Sequence, residues 1–185
     1  MSRSSDLLIR GGLVADPRDG TCAQRDIVIH DGIIAAVRPA GERHEASAQI
    51  AVHDATDRLV IPGLINAHTH GHANLMKGVA DRWSLEASLT NGPWLGGGRD
   101  PEIMYLSTLL GAVDMISKGC TACFDLGYDF PRPSAAGTAA VARAYADAGM
   151  RAVLAPMVAD RSLFQAIPEL ADALPDDLRT AMPIS

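Results

Sequence analysis

Two histidines that stand one residue apart, His68 and His70, form the pair in this sequence with the clearest capacity for chemistry. They close a mainly apolar stretch that begins at Val60, and such a stretch predicts a β-strand. Side chains alternate between the two faces of a strand, so residues i and i+2 lie on the same side and their imidazoles can share one metal ion. Imidazole is a common ligand for zinc and also suits iron. An H-x-H pair also occurs by chance in structural strands, so the spacing alone leaves a metal site and ordinary packing both open.

Three further side chains are candidates for contacts with a substrate. His72 continues the i, i+2 series, but it follows Gly71 beyond the strand, so we expect it to line a pocket rather than to bind the metal. Asp125 ends a second predicted strand, where it either contacts a substrate or caps the next turn. Trp83 either stacks on a flat heterocycle or packs as a plug in its loop. We predict substrate-binding roles for Trp83, His72 and Asp125.

Short β-prone segments dominate the first sixty residues, which precede the two histidines. The apolar runs 26–30 and 33–37, joined by the turn pair Asp31-Gly32, predict a β-hairpin. Another strand is expected over residues 48–53. After a polar interval, a further strand starts at Leu59 and is expected to continue toward the two histidines.

From Pro101 onward the pattern alternates between helices and strands. Apolar residues three or four apart predict a helix that starts at Pro101 and stops at Gly119. These residues are Ile103, Leu106, Leu109, Leu110, Val113 and Ile116. A strand over 121–125, a helix over 133–148, a strand over 151–156 and a helical segment over 163–174 are expected to follow. Strand–helix alternation is typical of βα units in a parallel sheet, so we predict an α/β fold.

The composition excludes several classes of partner. Hydrophobic residues make up 48% and charged residues 21% of the 185 residues, which indicates a packed domain. A net charge of −6 without a cluster of Lys or Arg argues against binding to nucleic acid or to a membrane, and favours a small-molecule substrate. The apolar segments are too short for a signal peptide or a membrane span. Three cysteines fit reduced thiols, so we expect a cytoplasmic protein.

The segment Pro62-Gly-Leu-Ile-Asn-Ala-His-Thr-His70 resembles the first-strand motif of the amidohydrolase superfamily, a group of metal-dependent hydrolases built on a (β/α)₈ barrel. The segment Gly119-Cys-Thr-Ala-Cys-Phe-Asp125 is similar to the second-strand motif of that family, and the β-rich N-terminus is similar to its small β-sandwich. The resemblance implies that His68 and His70 bind one divalent ion, Zn²⁺ or Fe²⁺. It also implies a β-sandwich part over residues 1–58 and the first three or so βα units of a barrel over 59–185.

The distance between the two motifs favours one branch of that family. About fifty residues separate His70 from Thr121, which resembles the aminohydrolases that act on cytosine, guanine, triazines or adenosine-like compounds. The resemblance implies hydrolytic deamination of a heterocyclic amine, in which the ion lowers the pKa of a bound water. Lys77 stands where that branch usually has arginine, which leaves the substrate open. A cyclic-amide or chlorotriazine hydrolase and a non-catalytic scaffold or partner subunit are the alternatives.

The length of the chain sets a further expectation about activity. A (β/α)₈ barrel takes about 250 residues, and only about half that number follow Leu59. The resemblance implies later metal ligands, histidines and an aspartate, yet no histidine follows His72. Catalytic zinc usually has three protein ligands, so we expect the 185-residue chain alone to bind metal weakly and to be inactive. We expect a full-length protein of this kind to be a homo-oligomer.

Overall fold

The computed structural model describes residues 6–42, 50–85, 87–88, 91, 100–129, 132–161, 163–169 and 172–177. The chain divides into two compact units, Met1–Pro62 and Gly63–Ser185. Leu59 and Val60 lie in the first unit, where they pair in parallel with Leu13 and Val14. The strand expected to run from Leu59 to the histidines is therefore two strands, interrupted at Pro62-Gly63, because proline cannot donate a ladder hydrogen bond. The predicted division into a β-sandwich part and a barrel part stays a prediction.

The first unit is built on a five-stranded sheet. Its order is β3-β2-β1-β4, and β5 also pairs with β1. The strands are β1 (Leu7–Asp16), β2 (Thr21–His30), β3 (Ile33–Pro39), β4 (Ala51–Asp54) and β5 (Leu59–Val60). Strands β1, β2 and β3 are antiparallel, whereas β4 and β5 lie parallel to β1. The strand expected over 48–53 appears as β4, and its first two residues lie outside the described part of the chain.

The predicted hairpin between β2 and β3 is confirmed. His30 pairs with Ile33, so the loop consists of the two residues Asp31 and Gly32. Their φ angles are +48° and +76°, the left-handed values that a type I′ turn requires at both central positions. Glycine adopts such angles readily and aspartate tolerates them, which is why this dipeptide fixes the register of the two strands.

The second unit contains a three-stranded parallel sheet in the order β6-β7-β8. The strands are β6 (Leu64–Thr69), β7 (Cys120–Asp125) and β8 (Arg151–Leu154). A 3₁₀ segment (Gly71–Met76) and helix α1 (Pro101–Ser117) lie between β6 and β7, α2 (Ala135–Asp147) lies between β7 and β8, and α3 (Leu163–Ala166) follows. Successive parallel strands connected by helices confirm the predicted α/β class. The expected helix over 163–174 is described only as the short α3, and residues 170–171 lie outside the described range.

Helix α1 has the predicted ends. The Asp100 side chain accepts a hydrogen bond from the Ile103 N–H at 2.8 Å, Pro101 occupies the first turn, and Gly119 has a φ of +85° just beyond the end. Below the helix, a hydrophobic core joins α1, α2 and the sheet. Its buried members are Met104, Ala112, Met115, Cys123, Val141, Tyr145 and Met150.

The orientation of α1 differs from what its sequence pattern favours. Ile103, Leu106, Leu110, Val113 and Ile116 are between 39% and 56% exposed. The buried positions are instead Met104, Ser107, Thr108, Gly111, Ala112 and Met115. Small side chains let the helix approach the 3₁₀ segment closely, and a Cβ at Gly111 would collide with Asn74.

Among the described residues, the helices are too short or too polar to cross a membrane.

Candidate metal centre

A bulge in strand β6 determines which face of the sheet the two histidines occupy. Asn66 pairs with Cys123 and Thr69 with Asp125, so three steps along β6 match two along β7. The Asn66 side chain donates a hydrogen bond to Met115 Sδ on α1 at 3.3 Å, which identifies the helix-covered face. The extra residue returns Thr69 to that face. His68 and His70, on either side of Thr69, consequently lie on the opposite, open face.

The imidazoles of His68 and His70 converge through their Nε2 atoms. These atoms are 3.2 Å apart, and the rings are nearly perpendicular, at 85° with centroids 5.0 Å apart. Zn–N bonds of about 2.0–2.1 Å at a tetrahedral angle place two ligating nitrogens about 3.4 Å apart. The observed separation therefore suits two ligands of one ion. His68 is exposed and His70 is partly buried.

The other ring nitrogen of His70 has a protein partner. Nδ1 lies 2.9 Å from the carbonyl oxygen of Leu126, which directly follows strand β7. A carbonyl oxygen only accepts, so Nδ1 carries a proton, and in the neutral ring the lone pair is then on Nε2. This arrangement is typical of metal-binding histidines, in which an outer partner fixes the tautomer and the ring orientation.

His72 lies next to this pair but has a different environment. Its ring centroid is 5.5 Å from that of His70, and its Nδ1 accepts a hydrogen bond from the Tyr128 N–H at 3.2 Å. The rings of His72 and Tyr128 are 5.9 Å apart. Because Nδ1 is already an acceptor, it is not a ligand in this arrangement. The pocket-lining role of His72 stays a prediction.

Asp125 lies on the helix-covered face and is only 1% exposed. Its Oδ1 accepts a hydrogen bond from the Gly71 N–H at 2.9 Å, and its Oδ2 accepts one from the Tyr145 hydroxyl at 2.8 Å. Both oxygens are thus used by the protein, and water does not reach them. The Oδ1 contact connects Asp125 to the backbone directly after His70. Its predicted role in substrate binding stays a prediction.

The pKa of Tyr145 is raised far above its usual value, first by burial and then by the neighbouring Asp125. The hydroxyl therefore remains a hydrogen-bond donor to Asp125 across the normal pH range. The sequence pattern predicted a helix over 133–148 but gave no signal of this polar contact. The contact is visible only in the structure, where Tyr145 of helix α2 lies against Asp125 at the end of strand β7.

Trp83 follows the 3₁₀ segment in a turn. Its backbone N–H donates to the Ala80 carbonyl at 3.1 Å, and its side chain is 38% exposed. Partial exposure leaves both stacking on a substrate and packing in the loop open for this ring. Its predicted role in substrate binding stays a prediction.

Comparison with known proteins identifies the family. Residues 59–182, about two thirds of the chain, match the model of the amidohydrolase family. The chain belongs to the amidohydrolase family. The resemblance carried by the H-x-H motif is thereby confirmed, and the matched region includes both histidines, strands β6 to β8 and helices α1 to α3.

Curated relatives of this amidohydrolase are named as deaminases. It is 34% identical over 152 residues to 5-methylthioadenosine/S-adenosylhomocysteine deaminase from Pyrococcus furiosus, covering 80% of this chain and 33% of the relative. It is 36% identical over 133 residues to 5′-deoxyadenosine deaminase from Methanocaldococcus jannaschii, covering 71% of this chain and 29% of the relative. The chain thus spans about a third of the length of these curated relatives.

Solved structures of other hydrolases are also similar to this chain. The amidohydrolase matches the zinc complex of atrazine chlorohydrolase from Arthrobacter aurescens TC1 with a TM-score of 0.69 and 25% identity, covering 81% of this chain and 35% of that one. Guanine deaminase from C. acetobutylicum matches with a TM-score of 0.65 and 17% identity, covering 81% and 36%. The second similarity concerns the fold alone.

Proposed function

We propose that this chain provides two metal ligands, His68 and His70, to a hydrolase that removes an amino group from a heterocyclic ring. The observation that carries the proposal is the Nε2 to Nε2 distance of 3.2 Å, combined with the contact from His70 Nδ1 to the Leu126 carbonyl. Together they give two converging nitrogens, of which one has a defined lone pair. The names of the deaminase relatives support the reaction type.

Zinc or iron(II) is the proposed ion. When bound, a divalent ion of this kind lowers the pKa of a coordinated water toward neutrality and so supplies a nucleophile. The zinc in the atrazine chlorohydrolase structure supports zinc as the first metal to test. The chain contributes the imidazoles that hold the ion and the Leu126 carbonyl that orients His70.

The proposed substrate is an aminopurine nucleoside or a related nucleobase. Both curated relatives are named for adenosine derivatives, in which the amino group is on a flat purine ring. Trp83 and His72 are the proposed contacts for such a ring, since one offers an aromatic face and the other lies 5.5 Å from His70. The proposal is a deamination that releases ammonia, with water as the co-reactant.

The metal proposal has a direct test in the purified chain. Zinc titration followed by calorimetry should give one site in the native chain and none in His68→Ala or His70→Ala. His53→Ala is the matched control, because His53 is an exposed histidine in strand β4 of the first unit. A hydrogen bond between His68 and His70 would give the same 3.2 Å distance without any metal. Equal zinc affinity in all four proteins would therefore contradict the proposal.

The reaction requires a test that supplies a complete ligand set, because catalytic zinc usually has three protein ligands. Residues 59–182 of this chain, which match the family model, can replace the corresponding segment of the Pyrococcus furiosus deaminase. We expect this chimera to release ammonia from 5-methylthioadenosine, and its His70→Ala form to release none. A chimera that folds and binds zinc but deaminates neither this nucleoside nor other aminopurines would contradict the proposed reaction.

Hydrolysis of a chlorotriazine is the second candidate. The structural match to atrazine chlorohydrolase, at a TM-score of 0.69, is the observation that favours it. Both reactions use water at a ring carbon, but one releases ammonia and the other releases chloride. Measuring both ions from the same chimera, with an aminopurine and a chlorotriazine as alternative substrates, separates the two candidates.

A further inference from the structure

The end of strand β7 holds the end of strand β6 through hydrogen bonds to three consecutive residues. The Leu126 N–H donates to the Thr69 carbonyl at 2.9 Å, and His70 Nδ1 lies 2.9 Å from the Leu126 carbonyl. The Gly71 N–H donates to Asp125 Oδ1, also at 2.9 Å. The proposed metal ligand thus lies between two backbone groups that are fixed by the same pair of residues.

The peptide group that follows Gly71 is fixed by two other side chains. The Gly71 carbonyl accepts hydrogen bonds from the Ser107 hydroxyl and the Asn74 side-chain amide, each at 2.9 Å. Ser107 is 0% exposed and belongs to α1. Backbone that is held by donors on one side and an acceptor on the other has little freedom to rotate.

The carboxylate of Asp125 depends in turn on Tyr145. Asp125 is 1% exposed and Tyr145 is 2% exposed, and the Tyr145 hydroxyl donates to Asp125 Oδ2 at 2.8 Å. A buried carboxylate without such donors would be costly, so the hydroxyl fixes both the position and the rotamer of Asp125. A Cβ at Gly71 would collide with Asp125 Oδ2, which shows how closely the carboxylate and the backbone approach.

We propose that Asp125 and Tyr145 are positioning residues that hold His70 in the orientation and tautomer required for binding a metal. The proposal rests on the proposed function, because it assigns both residues to the support of one metal ligand. Asp125 acts through the Gly71 N–H and through Leu126, its neighbour in the chain, whose carbonyl receives the His70 proton. Neither residue touches the ion or the substrate.

The test compares four variants of the 185-residue chain. Asp125→Ala removes the acceptor, Asp125→Asn retains one oxygen for Gly71, and Tyr145→Phe removes only the hydroxyl. Val141→Ala is the matched control, because Val141 is 7% exposed in the same core and its side chain has no polar group. The tautomer of His70 is read from its ring ¹⁵N shifts in metal-free protein, and the zinc affinity is read by titration.

We expect the native chain and Val141→Ala to show a single His70 tautomer with the proton on Nδ1. Asp125→Ala and Tyr145→Phe should show a mixture of tautomers and bind zinc about tenfold more weakly. Asp125→Asn should restore most of the native behaviour. Native tautomer and native zinc affinity in Tyr145→Phe would overturn the proposal, even if Asp125→Ala fails to fold.

Different results would contradict the proposed metal site and the proposed positioning role. If His70→Ala binds zinc as tightly as the native chain, the proposed metal site is wrong. The tautomer of His70 in metal-free Tyr145→Phe still decides whether the positioning role is correct, because that measurement involves no metal. A mixture of His70 tautomers that Val141→Ala shares would assign the effect to general stability and would likewise overturn the positioning role.

Discussion

Gly71 has a position that only glycine fits, because a Cβ there would collide with Asp125 Oδ2. We predict that Gly71→Ala lowers the free energy of unfolding by about 1–3 kcal/mol, the usual cost of overpacking. Gly127→Ala is the control, since its nearest neighbour would be the Pro156 Cα at 4.0 Å, an ordinary contact. Urea denaturation of both variants measures the difference. Equal stability of the two variants would show that the carboxylate can move aside.

Tyr145 gives a residue-level prediction about alkaline pH. The folded chain raises the pKa of Tyr145 above its ordinary value of 10.0, mainly through burial. The unfolded chain therefore loses this proton at a lower pH, and stability falls as the pH rises above about 10. We expect Tyr145→Phe to have a shallower loss of stability between pH 9 and about 11. Denaturant midpoints at several pH values measure it, and parallel curves would contradict the expectation.

At the scale of elements, helix α1 shows where a periodic pattern misleads. Its large apolar residues, spaced three or four apart, correctly predicted a helix that begins at Pro101 and ends before Gly119. The same residues form its more exposed side, because Ser107, Gly111 and Ala112 allow a closer approach to the 3₁₀ segment. Periodicity identifies a helix, but it does not say which of two apolar sides packs.

From this orientation of α1 we expect substitutions at two neighbouring residues to have different effects on the free energy of unfolding. Ala112 is 0% exposed, so Ala112→Leu should lower the free energy of unfolding by about 1–3 kcal/mol. Val113 is 56% exposed, so Val113→Lys should change it by less than about 0.5 kcal/mol. Urea denaturation of the two variants tests both values. A large loss in Val113→Lys with none in Ala112→Leu would mean that the helix is turned the other way.

The bulge in strand β6 could not be predicted from the sequence, because it also depends on contacts between distant parts of the chain. Strict alternation from Asn66 would put His68 and His70 on the side of Asn66, under the helices. The alternation rule correctly predicted that the two histidines share a face, but that face is set by the one-residue shift against strand β7. Such a shift depends on pairing with residues more than fifty positions away, and H-x-H spacing contains no information about it.

At the scale of the whole molecule, the groups that form or support the proposed metal site in the described part of the chain lie in the second unit. His68, His70, Asp125, Leu126 and Tyr145 all follow Pro62. We predict that residues 63–185 alone bind zinc with the affinity of the complete chain, as measured by calorimetry. A tenfold weaker affinity would mean that the first sheet contributes to the site.

The family and the α/β class could be predicted from the sequence because they depend on a local motif and on local periodicity. The support of His70 could not be predicted, since Leu126 contributes a backbone carbonyl and every residue type has one. The position of Asp125 at a strand end was predicted from the sequence, but its burial depends on tertiary packing. The motif residues could be recognised by their types, whereas contacts that depend on backbone groups or on tertiary packing could not.

The hydrogen bond between His70 and Leu126 also has a consequence for the order of events during folding. The two residues are 56 positions apart, so the imidazole acquires its orientation only after a long loop has closed and β6 has paired with β7. During synthesis, His70 leaves the ribosome well before its partner exists. The proposed metal site is therefore complete only when β6 has paired with β7. We expect zinc affinity to appear together with that pairing, because the Leu126 carbonyl that orients His70 is in place only then.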